Sequence, residues 1–208
     1  MDLNHWILLL SWILYVVIHS VLAAVRVKLF FETISGQLFR YYRLAYSILS
    51  TVALLFILYF QYSFTSPVLM NARVLKYISA LMLAPGLIIM VISILKYFKL
   101  LSGVRSLYYS KSTPELKLTG IHKFVRHPLY LGTLLFIWGL FFIFPWLNNL
   151  IAAVIISVYI LIGIRLEEKK LLEEFGHVYA NYISQVPMLI PRARRVKHNK
   201  KGRPSGRP

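Results

Sequence analysis

Leu129-YLGTLLFIWGLFFIFPWLNNLIAAVIISVYILIGIR-Leu166 decides what kind of protein this is. No residue between Leu129 and Phe144, or between Leu147 and Ile164, carries a charge. A helix needs about 20 mostly apolar residues to cross ~30 Å of hydrocarbon, and Leu147 to Leu166 meets that length while Leu129 to Phe144 falls a little short. Pro145, Trp146, Asn148 and Asn149 interrupt the run. Proline cannot continue the helix, so the break reads as a tight turn between two antiparallel spans. Working outward, Trp6 to Val25, Leu44 to Tyr62 and Val74 to Leu95 repeat the pattern. The sequence therefore predicts an all-α integral membrane protein with about five transmembrane helices.

Composition agrees. The 208 residues are one domain by length, but 58% are hydrophobic and 15% aromatic, too apolar for an ordinary soluble chain. Cysteine is absent, which excludes disulfides, thiolate metal sites, Fe–S clusters and a cysteine nucleophile, and no metal site is expected. The first apolar run begins beside Asp2 rather than a basic cluster and is long enough to span, so it is expected to be retained rather than removed as a signal.

The formal charge of +17 is distributed unevenly. All but Arg73 and Lys76 of the 24 Lys and Arg fall after spans one, three and five. The positive-inside rule then places both long loops and the C-terminus in the cytoplasm and the N-terminus outside. Residues 192–208 are mostly Lys, Arg, Pro, Gly and Ser with almost nothing to bury, and read as a disordered basic tail that orients the chain and touches anionic lipid. No folded nucleic-acid motif accompanies it, so no nucleic-acid partner is expected. The chain divides into a two-helix region at 1–73, a core at 74–191 and the tail.

Polar residues within the first three spans are few. His19, Ser20 and Gln61 read as helix–helix hydrogen-bonding residues, and Tyr41, Tyr42 and Trp146 as interfacial aromatics. Chemistry concentrates in two segments. Thr119-Gly120-Ile121-His122-Lys123-Phe124-Val125-Arg126-His127-Pro128-Leu129-Tyr130-Leu131-Gly132 leads into span four. Pro128 suits the first turn of that helix, whose unpaired N–H groups can hold an anionic or carboxylate-bearing ligand. After span five, Leu171, Leu172, Phe175, Val178, Tyr179, Tyr182 and Ile183 share one arc, predicting a cytoplasmic amphipathic helix that continues from the membrane. Glu173 and Glu174 fall toward its polar side. Glu168 falls near the middle of the apolar arc and Glu167 at its edge, positions expensive for a carboxylate unless a cation meets it. Both are functional candidates; the structural alternative is an ion pair with Arg126 or Lys123.

Arg126-His127-Pro128-x-Tyr130-x-Gly132, followed by Glu167-Glu168-x-x-Leu171-x-x-x-Phe175-Gly176-x-x-Tyr179-x-x-Tyr182-x-x-x-Val186-Pro187-x-x-x-Pro191, resembles the integral-membrane isoprenylcysteine carboxyl methyltransferase family with its phospholipid and thiol methyltransferase relatives. His19-Ser20-x-Leu22-Ala23, Tyr42-Arg43-Leu44-x-Tyr46 and the close at Val186 to Pro191 are more similar to its methanethiol S-methyltransferase branch. The resemblance implies a methyltransferase that uses S-adenosylmethionine. It further implies that Glu115, Leu116, Lys117, His122, His127, Pro128, Leu129 and Tyr130 line the cofactor pocket and that Glu167 takes the cofactor's amino group. The helical wheel favours Glu168 for deepest burial and leaves the register between the two open. Arg126, Glu167 and Glu168 form the expected catalytic set, with Arg126 beside an anionic acceptor and Tyr130 or Tyr179 facing the sulfonium.

Two positions depart from the family pattern. His122 stands where tyrosine is usual, and Gly163 where a prenylcysteine enzyme is expected to carry an arginine for the substrate carboxylate. The acceptor expected is therefore a small thiol or another lipophilic molecule arriving through the membrane lipid, ahead of a prenylcysteine. A sterol-type membrane reductase would call for a nicotinamide site and a longer chain. A transporter would call for polar residues at mid-membrane, where spans two to five are nearly bare.

Overall fold

The computed structural model describes residues 1–70, 73–101, 116 and 118–191. Seven α-helices are formed among them: α1 (Leu3–Ala23), α2 (Val25–Ser35), α3 (Tyr42–Tyr62), α4 (Arg73–Leu101), α5 (Pro128–Ile143), α6 (Leu147–Phe175) and α7 (His177–Gln185), with 3-10 turns at Gly36–Tyr41 and Gly120–Lys123. Leu3–Ala23, the stretch Val25–Tyr62, Leu75–Lys96 and Leu147–Phe175 are long and apolar enough to cross a membrane, and Pro128–Ile143 is a shorter apolar helix. Large apolar side chains such as Leu14, Val17, Leu55, Phe56, Leu81 and Val158 are exposed along these helices, as lipid-facing residues are.

Two packing units support the fold. In the first, α1, α3 and α6 bury Leu8, Trp12, Ile57, Ile151 and Ala152. In the second, α4 and α5 lie against each other so closely that glycine is required. A Cβ on Gly86 would lie 2.8 Å from the Phe136 nitrogen, and one on Gly132 would lie 2.8 Å from the Met90 nitrogen. Between helices in lipid, small residues permit such backbone contact and van der Waals packing replaces the hydrophobic drive. The Ser79 hydroxyl donates to the Gly139 carbonyl across the same seam at 2.9 Å.

The break at Pro145 forms as expected, but Asn148 and Asn149 belong to the first turn of α6 and are buried. The Trp12 indole N–H donates to Gln61 Oε1 (3.0 Å), and the Gln61 amide donates to Asn149 Oδ1 (2.9 Å). Asn148 Nδ2 donates to the Gln61 carbonyl (2.7 Å), and the Asn148 backbone N–H to Ser66 Oγ (3.1 Å). Hydrocarbon offers no partner to the orphan N–H groups of a helix start, so side chains supply them.

Two sequence expectations are corrected. The connection after α1, read as a loop, contains α2, which buries no residue and carries exposed Leu29, Phe30 and Ile34 with Arg26 and Lys28. That is the composition of a helix lying along a membrane surface. The amphipathic segment after α6 is not one continuous helix: Gly176, at φ +52°, ends α6 and redirects the chain into α7. Tyr179, Tyr182 and Val186 then pack with Leu116, Leu118, Leu171, Phe175 and Ile183. Leu172 and Val178, assigned to the same arc by a continuous wheel, are exposed.

Candidate functional site

His127 precedes α5 and Glu168 lies in the last two turns of α6, so the two sequence segments meet where these helices leave the apolar layer. The backbone joins them first. The Arg126 N–H donates to the Pro187 carbonyl (2.9 Å) and the His127 N–H to the Met188 carbonyl (3.2 Å). This short pairing fixes the residues before α5 against the chain that follows α7.

Side chains complete the clamp. Arg126 Nε donates to Glu168 Oε1 at 2.7 Å, and Arg126 Nη1 donates to the carbonyls of Val186 (2.6 Å) and Ile183 (3.2 Å), which lie at the end of α7. His127 Nε2 reaches the same Glu168 Oε1 at 3.0 Å. The ion pair foreseen as the structural alternative is therefore formed, with Arg126 rather than Lys123. Arg126 and Glu168 side chains are only 9% and 18% exposed, which strengthens their attraction and raises the cost of separating them. Burial works to raise the Glu168 pKa, but the hydrogen bonds from Arg126 and His127 outweigh it and hold the carboxyl below its usual range.

Glu167 differs from its neighbour. Its side chain is 45% exposed, its Oε2 lies 3.9 Å from His127 Nδ1, and it faces Tyr130 in the first turn of α5. The Tyr130 ring leans on His127 with centroids 5.7 Å apart. The deeper carboxylate is thus Glu168, as the wheel indicated, and it is committed to the clamp. A half-exposed carboxylate acceptor beside an aromatic ring suits a ligand carrying an ammonium and a sulfonium.

The remaining expected pocket residues divide. His122 Nδ1 meets the Arg126 carbonyl at 3.0 Å, and the Tyr182 hydroxyl donates to the His122 carbonyl at 2.7 Å. Burial pushes the His122 imidazole below its usual pKa. Pro128 is buried as the first residue of α5 and Leu129 half-buried behind it. Leu116 packs into the Tyr179 and Tyr182 cluster rather than beside Glu167. Glu115 and Lys117 lie outside the described residues. A shallow groove of about 200 Å³ between Leu118, Lys123, Asn181, Tyr182 and Gln185 contains none of the expected pocket residues.

His19, expected from the sequence to hydrogen-bond between helices, does so at the centre of a second polar cluster, joining α1 to α3. His19 sits among Tyr15, Tyr46 and Tyr159, with ring centroids 5.7, 5.2 and 6.2 Å away, and its Nδ1 meets Ser50 Oγ at 3.2 Å. The four-residue spacings Tyr15/His19 and Tyr46/Ser50 put each pair on one helix face and were the available signal.

Comparison with known proteins follows the same stretch of chain. The family model described as PEMT, phospholipid methyltransferase, matches residues 75–178. A methanethiol S-methyltransferase of Pseudomonas sp. is 34% identical over 118 residues, covering 54% of this chain and 44% of the relative. That of Crocosphaera subtropica is 38% identical over 117 residues, covering 52% and 44%. That of Pseudomonas deceptionensis is 44% identical over 77 residues, covering 36% and 28%. The matched stretch spans less than half the length of these curated relatives. No solved structure matches the chain.

Proposed function

We propose, from the premise that the chain belongs to the phospholipid methyltransferase family, that it is an integral-membrane S-adenosylmethionine-dependent methyltransferase whose acceptor is a small thiol. One observation carries the reading: of two adjacent carboxylates where the motif segments meet, Glu168 is locked by Arg126 and His127 while Glu167 is half-exposed and meets Tyr130. The thiol is taken from the relatives, whose names specify methanethiol.

When bound, S-adenosylmethionine supplies a methyl group made electrophilic by its sulfonium. Glu167 takes the ammonium in a charge-assisted hydrogen bond, and Tyr130 presents its ring to the positive sulfur. Arg126, Glu168 and His127 do not touch the reacting atoms in this scheme. They hold the end of α6, the start of α5 and the end of α7 in one arrangement, so that donor and acceptor are aligned and water is kept out, the main source of acceleration for an in-line displacement. The site lies at the cytoplasmic face, with the N-terminus on the opposite side, because the basic residues gather at that end.

The test is calorimetry of the full chain in detergent with S-adenosylmethionine, S-adenosylhomocysteine and NADPH, followed by labelled methyl transfer to methanethiol or N-acetyl-farnesylcysteine. Binding of the first two and formation of a labelled thioether is the expected outcome. Base-labile methyl ester without thioether would reassign the acceptor as a prenylcysteine carboxylate, and binding of NADPH alone would overturn the methyltransferase reading.

A further inference from the structure

We propose that Gly163 is the floor of the acceptor site: the apolar end of the thiol lies in the space left beside it on α6, one turn further into the apolar run than Glu167, and that space sets the size of thiol accepted. The proposal rests on the thiol methyltransferase reading above.

Glycine is a poor helix former, so one inside α6 calls for a reason. Two reasons are ordinary, and neither applies. Gly36, Gly120 and Gly176 have positive φ, which Gly163 does not. Gly86, Gly132 and Gly139 let α4 and α5 approach, each Cβ position lying 2.7–2.8 Å from an atom of the other helix. A Cβ on Gly163 would meet no atom of the described residues within 4 Å. What this glycine supplies is room.

Open space on a helix in a bilayer is ordinarily lipid, but Gly163 is on the flank of α6 that faces other helices. The lipid-facing arc carries Val158, Leu161 and Ile162, all exposed. Ala152, Ile156, Tyr159 and Gly163, spaced by four, three and four residues, make a different row. Ala152 and Ile156 pack into the core shared with α1 and α3, and the Tyr159 ring meets that of His19 with centroids 6.2 Å apart. At Gly163 the row meets nothing, and the reason is where α1 stops. The two helices run in parallel, because Ser66 Oγ joins His5, near the start of α1 (3.0 Å), to the backbone N–H of Asn148, at the start of α6 (3.1 Å). One turn beyond His19 is Ala23, the last residue of α1, after which the extended Ala24 turns the chain into α2. At the level of Gly163, α1 therefore presents a methyl group and ends.

What borders this space fits an acceptor. Glu167 is four residues on, about 6 Å along the helix, and its carboxylate turns toward His127 (3.9 Å), on which the Tyr130 ring leans. Those are the residues given above to the donor. Tyr159 is about 6 Å away in the other direction, and its ring is engaged with His19 instead of folding over the gap. Gly163 itself falls in the uncharged part of α6 and is half-buried, so the space is apolar and reachable from the side. A small thiol dissolved in the lipid enters it neutral, with its sulfur toward the donor methyl near Glu167 and its carbons over Gly163. A longer thiol runs against Tyr159.

The experiment uses the full chain in detergent, labelled S-adenosylmethionine and the series methanethiol, ethanethiol and butanethiol. Gly163→Ala puts one carbon into the space and Gly163→Leu fills it. Gly163→Ala is expected to melt at or above the temperature of the parent, since it replaces a poor helix former and meets nothing. It should bind S-adenosylhomocysteine as the parent does and raise the KM for butanethiol about tenfold, the low end of what one methylene costs in an apolar pocket, with less change for methanethiol. Gly163→Leu should raise the KM for every thiol about 100-fold while S-adenosylhomocysteine binding stays parental. Ile162→Ala, on the lipid-facing arc of the same turn, is the control and should follow the parent through the series. A purely structural role for Gly163 would move melting and leave the size preference alone. Parental KM values across the series in Gly163→Ala and Gly163→Leu would overturn the proposal and leave the space to lipid. Weaker S-adenosylhomocysteine binding by Gly163→Ala with unchanged thiol KM would overturn it as well, by assigning the space to the donor. If Gly163→Leu does not fold, Gly163→Ala decides alone on butanethiol. Failure of the thiol reading is distinguishable: the parent itself would then form no thioether from any thiol.

Discussion

Replacing Glu168 by glutamine should destabilise the fold far more than it alters the shape of the site. Glu168 Oε1 accepts from both Arg126 Nε and His127 Nε2. Glutamine retains an oxygen there but not its charge, so each bond falls from the charge-assisted range of about 1.5–3 kcal/mol toward the neutral range of about 0.5–1.5 kcal/mol, a loss near 2 kcal/mol for the two. At about 2–4 °C per kcal/mol for a chain of this size, the melting temperature in detergent should drop by about 4–8 °C. Glu168→Ala removes the acceptor and leaves the largely buried Arg126 with carbonyl partners but no counter-ion, and should cost about 3–5 kcal/mol. Glu167→Gln is the control, because Glu167 is the more exposed carboxylate and joins no bond of the clamp shorter than 3.9 Å. The pH dependence carries a sign. The folded pKa of Glu168 is depressed, so its contribution is fully present above the unfolded value of about 4.3 and is lost as pH falls through the lower folded value. Melting of the parent should therefore steepen in acid relative to Glu168→Gln. Equal melting temperatures for the parent and Glu168→Gln, or equal losses in the two glutamine variants, would refute the division of labour between the carboxylates.

Glu167→Gln should instead weaken S-adenosylmethionine binding by about 1.5–3 kcal/mol, roughly 10- to 100-fold, read by calorimetry. Cysteines placed at Asn71 and Asn199 should be labelled from opposite sides of the membrane; labelling from one side would refute the five-span topology. Gly132→Ala puts a Cβ 2.8 Å from the Met90 nitrogen and should lower stability by about 1–3 kcal/mol, with a smaller effect for Gly163→Ala, whose Cβ meets nothing within 4 Å.

The parts legible in the sequence are those that the bilayer enforces. Apolar runs of spanning length and the Pro145 interruption mark the helices because hydrocarbon tolerates little else. Arg126, His127 and Glu168 were legible because charges beside an apolar arc must find partners, and they find each other. The break at Gly176 was not legible: a periodic wheel runs through glycine unchanged, whereas a positive φ redirects the backbone. Nor was the depth of Asn148 and Asn149, since a turn and a helix start draw on the same polar residues. The His19 cluster assembles from three separated segments, and pairing across helices leaves only weak periodic traces in any one of them.

The choice between acceptors turns on what charge the site must neutralise. A lipid carboxylate brings a full negative charge into a weakly polar space and needs a cation aimed at it. Arg126, the guanidinium at the meeting of the two segments, spends Nε on Glu168 and Nη1 on two carbonyls and is only 9% exposed, so a substrate carboxylate would compete with Glu168 for a charge that is already paired and largely buried. Gly163 adds no cation, and Lys96 donates to the Thr119 carbonyl at 3.2 Å. A thiol reaches the same space neutral and acquires charge only as its proton leaves, when the positive sulfonium is already opposite. That acceptor asks the protein for a close approach to the donor and leaves the arginine clamp undisturbed.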